Sequence, residues 1–250
     1  MKSSNIFIFL MIIIFTVCGQ EDSTRANTNA DQEVAFILHG FARSKTAMVL
    51  LAARLENAGY LVHRISYPTL NTTPEEGLKA VSRQINTQLP DSTDIVHFVG
   101  HSLGGLMIRA YLQENRLPGL GHVVLIGTPN QGTPLADRFR DSWWFKLLGS
   151  MPVQLGTDST DFPKSLEKPY YPVGIITGVL EGMENEKLLP GKDDGVVPAT
   201  STLVAGMTDR ITINTGHAML RYNKEVAEQT IEFLKNGKFR REINRNGNTR

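Results

Sequence analysis

The residue on which chemistry can be built is Ser102, set in Gly100-His101-Ser102-Leu103-Gly104-Gly105, and the chemistry is nucleophilic attack on an acyl carbon. A serine hydroxyl is a weak nucleophile at neutral pH, so it needs a base within hydrogen-bond reach and a third group to orient that base. The candidate bases are His39, His63, His97, His101, His122 and His217. His63, His97 and His122 fall in or beside apolar runs, where a histidine is packed and satisfied. His101 shares the serine's turn and is expected to point away from it, while His39 closes the first apolar run and shapes the loop beyond. His217 is left, after Ile211-Thr212-Ile213-Asn214-Thr215-Gly216 and ahead of the last amphipathic stretch. In the chain order serine, acid, histidine, the acid lies between Ser102 and His217. Asp194, in Lys192-Asp193-Asp194-Gly195-Val196-Val197-Pro198, is the choice; Asp193 competes closely, and Asp158 and Asp161 from further off. Two aspartates before a glycine also form turns in their own right.

Acyl transfer further needs donors preset for an oxyanion. The backbone N–H of Phe41, in the loop after His39-Gly40, and that of Leu103, next to the serine, are expected to serve. Trp143, Trp144 and Phe145 could wall an acyl site, although aromatic clusters also form for packing alone. Cysteine pairs are absent and Asp193-Asp194 alone makes a weak ligand set, so neither a metal nor a cofactor is expected.

These groups need a scaffold that brings them together. Ile95-Val96-His97-Phe98-Val99 reads as a strand and Leu106 to Tyr111 as a helix, which makes the serine segment a sharp strand-to-helix elbow, with glycines two residues before and after. Further strands are expected at Val34 to Leu38, Leu61 to Tyr67, His122 to Ile126, Val173 to Val179 and Ile211 to Ile213. Helices are expected at Lys45 to Ala58 and from about Asn223 to Leu234. Another starts at Thr73-Pro74-Glu75-Glu76, which carries an N-cap, a proline in the first turn and a capping-box glutamate. Near-continuous apolar strands alternating with helices imply an α/β fold with a mostly parallel central sheet and helices on both faces. Active sites of such sheets lie at the carboxyl ends of the strands, where His39, Ser102 and Thr128 all fall.

A chain of 250 residues, 41% hydrophobic, suits one α/β domain. With 26 Lys+Arg against 25 Asp+Glu and no basic stripe in the body of the chain, it has no nucleic-acid binding signature. Residues 1–19 read as a signal peptide, since Lys2 precedes an apolar run from Ile6 to Val17 that is too short to span a bilayer comfortably; the protein is expected to be exported, into a periplasmic, extracellular or membrane-anchored setting. Three readings of that segment stand: cleavage after Gly19, lipidation of Cys18 as in a bacterial lipoprotein, and an uncleaved apolar anchor. Phe15-Thr16-Val17 is a poor context for lipidation. A single cysteine forms no internal disulfide. Residues 20–32 read as a flexible polar segment, 33–235 as the domain with an irregular lid-like insertion at about 130–170, and 236–250 as a basic, frayed tail.

Phe36-Ile37-Leu38-His39-Gly40-Phe41, Gly100 to Gly105, Gly127-Thr128-Pro129-Asn130-Gln131-Gly132-Thr133, Asp194 to Pro198 and His217 together resemble the α/β-hydrolases of bacterial lipase and esterase type. The resemblance spans about Val34 to Leu234. It implies hydrolysis of carboxylic esters, small-molecule or lipid, without a cofactor, by Ser102, Asp194 and His217, with Phe41 and Leu103 as oxyanion donors. The connection after Thr128 is shorter than the large lids of some lipases, which departs from the interfacial pattern. Membrane association would come through a lipidated Cys18 or the lid segment. The same triad could equally serve an acyltransferase, thioesterase or amidase; a non-catalytic binding protein on this fold is the competing class, opposed by the filling of every expected catalytic position.

Overall fold

A computed structural model describes residues 33–89, 95–182 and 188–241. The readings of residues 1–19 and 20–32, Cys18 included, lie outside these.

Alternating apolar side chains let each central strand feed two cores at once. In β1 (Val34–Leu38), Val34, Phe36 and Leu38 face one side, while Ala35 and Ile37 face the other. The same division holds in β3 (Val96–His101), β4 (Leu120–Ile126) and β5 (Val173–Val179). With β2 (Leu61–Ile65) and β6 (Asp209–Asn214) at the edges, the strands form a six-stranded sheet in the order β2-β1-β3-β4-β5-β6, every pair parallel. Burial on both faces explains why the central strands read as continuous apolar runs, and edge β6 alternates instead.

One face is covered by α2 (Pro74–Gln88) and α3 (Leu103–Glu114), through Val81, Ile85, Leu106 and Tyr111. The other is covered by α1 (Val49–Asn57) and α8 (Lys224–Asn236), through Leu51, Leu55, Val226 and Phe233. Each such fully buried side chain contributes roughly 1.5–3 kcal/mol. Helix α2 begins as its sequence demands: Thr73 Oγ1 accepts from Glu76 N (3.2 Å) and Thr73 N donates to the Glu76 carboxylate (3.1 Å). The helix expected from Lys45 is a 3₁₀ turn, Lys45–Met48, continued by α1.

The insertion is built of short helices: α4 (Pro134–Phe139), α5 (Trp143–Lys146), α6 (Ser150–Val153) and α7 (Phe162–Ser165). Arg140 ties the end of α4 to the turn ahead of α7, its guanidinium meeting Asp137 (2.5 Å), Asp158 (2.8 Å) and Asp161 (2.7 Å). The first part of the tail is packed rather than frayed. Gly237 caps α8 in the left-handed region (φ 68°), Phe239 is buried against Phe233, and Arg241 pairs with both oxygens of Asp209 (2.6 and 2.9 Å). The tail beyond residue 241 lies outside the described residues. Among the described residues no helix is long and apolar enough to cross a membrane.

Candidate active site

The strand order reverses between β1 and β3, which run outward to β2 on one side and to β4, β5 and β6 on the other. A crevice opens at the carboxyl ends of strands at such a point. Ser102 stands there between β3 and α3 with φ 55° and ψ −125°, a strained conformation held by its N–H bond to the Ile126 carbonyl (2.8 Å). The flanking glycines are required by packing. A Cβ on Gly100 would lie 2.5 Å from the Gly105 backbone, and one on Gly104 2.5 Å from the Leu38 carbonyl oxygen.

Residues far apart in the chain converge on the Ser102 hydroxyl. His217 Nε2 lies 2.9 Å from Oγ, and His217 Nδ1–H donates to Asp194 Oδ2 at 2.7 Å, the tautomer that a carboxylate acceptor imposes. The other oxygen, Asp194 Oδ1, accepts from the N–H groups of Val196 (3.0 Å) and Val197 (2.7 Å), and the Asp194 side chain is fully buried. The histidine backbone is fixed as firmly. His217 N donates to the Asp194 carbonyl (2.8 Å), and His101 Nε2–H donates to the His217 carbonyl (2.9 Å).

His101 therefore leans on His217, with ring centroids 4.9 Å apart, instead of turning away from the site. Burial holds its imidazole well below the usual histidine range; the proximity of His217 acts the same way, and the charges of Arg221 and Arg43 add to it against the bond to the His217 backbone. His97 and His101 are four residues apart but on a strand, and they serve different neighbours: His97 bonds Glu33 and the His122 N–H. Among the competing acids, Asp193 Oδ1 accepts from Gly195 N (2.7 Å) as a turn former, and Asp158 and Asp161 are engaged by Arg140.

The loop after β1 is pinned at several points. His39 Nδ1–H donates to the Gly40 carbonyl (3.0 Å), Tyr67 Oη–H to the His39 carbonyl (2.5 Å), and Ala42 N–H to Thr69 Oγ1 (3.1 Å). Burial lowers the His39 pKa, which favours the neutral ring that this arrangement uses. Among the described residues the N–H groups of Phe41 and Leu103 have no acceptor; the latter opens α3, where the first N–H groups lack intrahelical partners.

A cavity of about 350 Å³ opens over Ser102 and His217. Its walls are mainly apolar: Phe41, Leu135, Phe139, Phe145, Leu155 and Val197. Of the aromatic triplet, Phe145 lines it and Trp143 and Trp144 do not. Consecutive residues on a helical turn diverge by about 100°, so α5 can direct one ring inward; Trp143 is 75% exposed, and Trp144 packs on Phe139 and Phe145. Leu135, Ala136 and Phe139 escaped sequence reasoning, although Thr133-Pro134 is a helix start and their spacing an apolar stripe. The insertion also grips the acid loop, Thr133 Oγ1–H donating to the Val196 carbonyl (2.7 Å) and Gln131 N–H to the Ser201 carbonyl (2.9 Å).

Among solved structures, the mature lipase BlEst2 of Bacillus licheniformis superimposes with a TM-score of 0.64 at 19% identity, over 86% of this chain and 95% of that one. Aspergillus fumigatus lipase B gives 0.57 at 15% identity over 82% and 52%, and the metagenomic carboxyl esterase MGS0156 gives 0.55 at 17% over 77% and 66%. The chain has the α/β-hydrolase fold. A family model described as "Domain of unknown function (DUF7379)" matches residues 19–184, a span that contains Ser102 and stops short of Asp194 and His217. No curated protein matches.

Proposed function

The chain belongs to the family described as a domain of unknown function, DUF7379, and we propose that it is an exported serine hydrolase that cleaves carboxylic esters through an acyl-enzyme. The observation that carries this reading is the hydrogen-bonded line from Asp194 through His217 to Ser102, with spacings of 2.7 and 2.9 Å, ending on a strained elbow at the floor of an apolar cavity. Export rests on the signal-like run from Ile6 to Val17.

Ser102 Oγ attacks the ester carbonyl while His217 Nε2 takes its proton, and Asp194 stabilises the imidazolium that results. Negative charge moves onto the carbonyl oxygen, toward which the free N–H groups of Phe41 and Leu103 are offered. The carbon–oxygen bond to the alcohol breaks, and the departing oxygen takes the proton from His217. Water then attacks the acyl-serine, gives its proton to His217, and releases the acid as Ser102 recovers its own proton. The apolar wall of Phe41, Leu135, Phe139 and Phe145 suits the acyl chain, since it offers area and few polar partners.

Replacing Ser102 by Ala tests the assignment. Turnover of short-chain p-nitrophenyl esters and labelling by a fluorophosphonate probe should both vanish while the far-UV circular dichroism is kept; a variant that retains full turnover would sink it.

A further inference from the structure

A second cavity, open and of about 450 Å³, adjoins the first and shares Ala42, Arg43 and Arg221 with it. Its remaining lining is small or polar, including Ser44, Thr46 and Tyr222. Two arginines stand at the junction of the cavities. Arg221 is only 7% exposed, its guanidinium lies over the Tyr222 ring (4.5 Å), and among the described residues it has no hydrogen-bond acceptor; its Nε is buried without a partner. Arg43 is exposed and, among the described residues, its side chain donates only to the neighbouring Ala42 carbonyl (3.0 Å). Neither has a carboxylate partner among the described residues, in contrast to Arg140 and Arg241. Leaving a buried guanidinium nitrogen unpaired is costly, and an arginine in that state, at the mouth of a reactive site and lining an open cavity, suits an anion that would complete it.

Position says which half of the ester carries that anion. Arg221 follows His217 by four residues of tight turn, with Leu220 N–H bonded to the Gly216 carbonyl and Tyr222 N–H to that of Met219, so it belongs to the histidine side. That is the side on which the leaving oxygen must lie to receive its proton from His217 Nε2. The apolar walls come instead largely from the insertion. The nearness of the two charges is also felt at His101, whose protonation they oppose after burial and the proximity of His217.

We propose that the substrates are esters joining an apolar acid to an alcohol that bears an anionic group, phosphate or carboxylate, which Arg221 and Arg43 receive. This rests on the ester-hydrolase reading above and adds the substrate class. Guanidinium groups bind both anions through paired, charge-assisted hydrogen bonds.

The experiment compares kcat/KM of the purified chain on three hexanoyl esters, those of glycerol, glycerol 3-phosphate and lactate, at low and high salt. At low salt one or both anionic esters should exceed the neutral one by about tenfold or more, the lower range for a charge-assisted hydrogen bond, and salt should shrink the margin. Preference for the glycerol 3-phosphate ester assigns a phosphate, and preference for the lactate ester a carboxylate. Arg221→Met should cut the anionic-to-neutral ratio about tenfold, with Arg221→Lys intermediate. Should Arg221→Met fail to fold, Arg43→Met at its exposed position should lower the same ratio. A wild-type ratio at or below one, with p-nitrophenyl esters still cleaved and Ser102 labelled by fluorophosphonate, overturns the anionic substrate class and leaves the hydrolase standing. Absence of both turnover and labelling overturns the two together.

Discussion

Substituting Asn for Asp194 isolates what the acid does, because its two oxygens have different obligations. Oδ1 accepts two backbone N–H groups, at 2.7 and 3.0 Å, and Oδ2 accepts from His217 at 2.7 Å. An asparagine can satisfy the Val196 and Val197 amides only by turning its carbonyl oxygen toward them. Its NH₂ then faces His217 Nδ1, which must become an acceptor; the ring proton moves to Nε2, and the base needed by Ser102 is gone. The flipped amide restores the tautomer but sets NH₂ against two donors, the Val197 N–H buried and that of Val196 partly so, at about 1–3 kcal/mol for each N–H left unsatisfied. At ~1.4 kcal/mol per decade that handicap amounts to roughly 30-fold to 10⁴-fold. Loss of the carboxylate charge that stabilises the imidazolium deepens it, so kcat on p-nitrophenyl butyrate should fall by about 10³–10⁵. The fold should survive, since the wrong-tautomer arrangement preserves the loop's hydrogen bonds, and near-UV circular dichroism would establish that. Asp193→Asn serves as the contrast: its Oδ1 caps only Gly195 N, so kcat should stay within about threefold of wild type. Retention of more than a tenth of wild-type kcat by Asp194→Asn, or an equal collapse in Asp193→Asn, refutes the reasoning.

Gly104→Ala places a methyl 2.5 Å from the Leu38 carbonyl oxygen, forcing α3 away from β1; urea titration should show a loss of about 1–3 kcal/mol. His101 gives a pH prediction. Its folded pKa lies below the unfolded value of about 6.5, so the unfolded chain binds the extra proton and stability falls as pH drops below about 6.5. His101→Gln keeps an N–H donor for the His217 carbonyl and cannot titrate. Between pH 6.5 and 5 its unfolding free energy from urea titration should fall less steeply than that of wild type, by up to ~1.4 kcal/mol per pH unit, with the remaining slope due partly to His39 and His97, also lowered by burial. Equal slopes for the two proteins would show that His101 titrates normally in the fold.

The central strands were legible because burial on both faces leaves them uninterrupted apolar stretches, as in Val34–Leu38 and Val173–Val179. Helix α2 was legible from its cap, where Thr73 and Glu76 bond reciprocally as their spacing requires. Chain order pointed to Asp194, with Asp193 in competition, and to His217, the histidine that follows a late strand rather than lying within one; these two line up on Ser102. The insertion was opaque for a geometric reason: α5, α6 and α7 have four residues each, too few to show a helical period. Taking Trp143, Trp144 and Phe145 as one wall ignored that a turn of helix fans them apart. Arg221 had no local signal at all, being one cation in a turn whose weight comes from Arg43, distant in sequence. Phe239 was masked by its basic neighbours, although Gly237 marks the stop that folds it back onto Phe233.

An all-parallel sheet has no hairpin from which to grow: β1 pairs with β3 across a gap of sixty-two residues, Val34 with Val96. Such long-range pairing is slow to form. Ser102 waits longer still, since the imidazole it needs lies 115 residues downstream, seated by an acid loop and an edge strand that leave the ribosome late. Until that last stretch docks, the serine is an ordinary alcohol. Under the proposed mechanism an unfolded chain is therefore chemically silent, and reactivity waits on the docking of its last strand and loop.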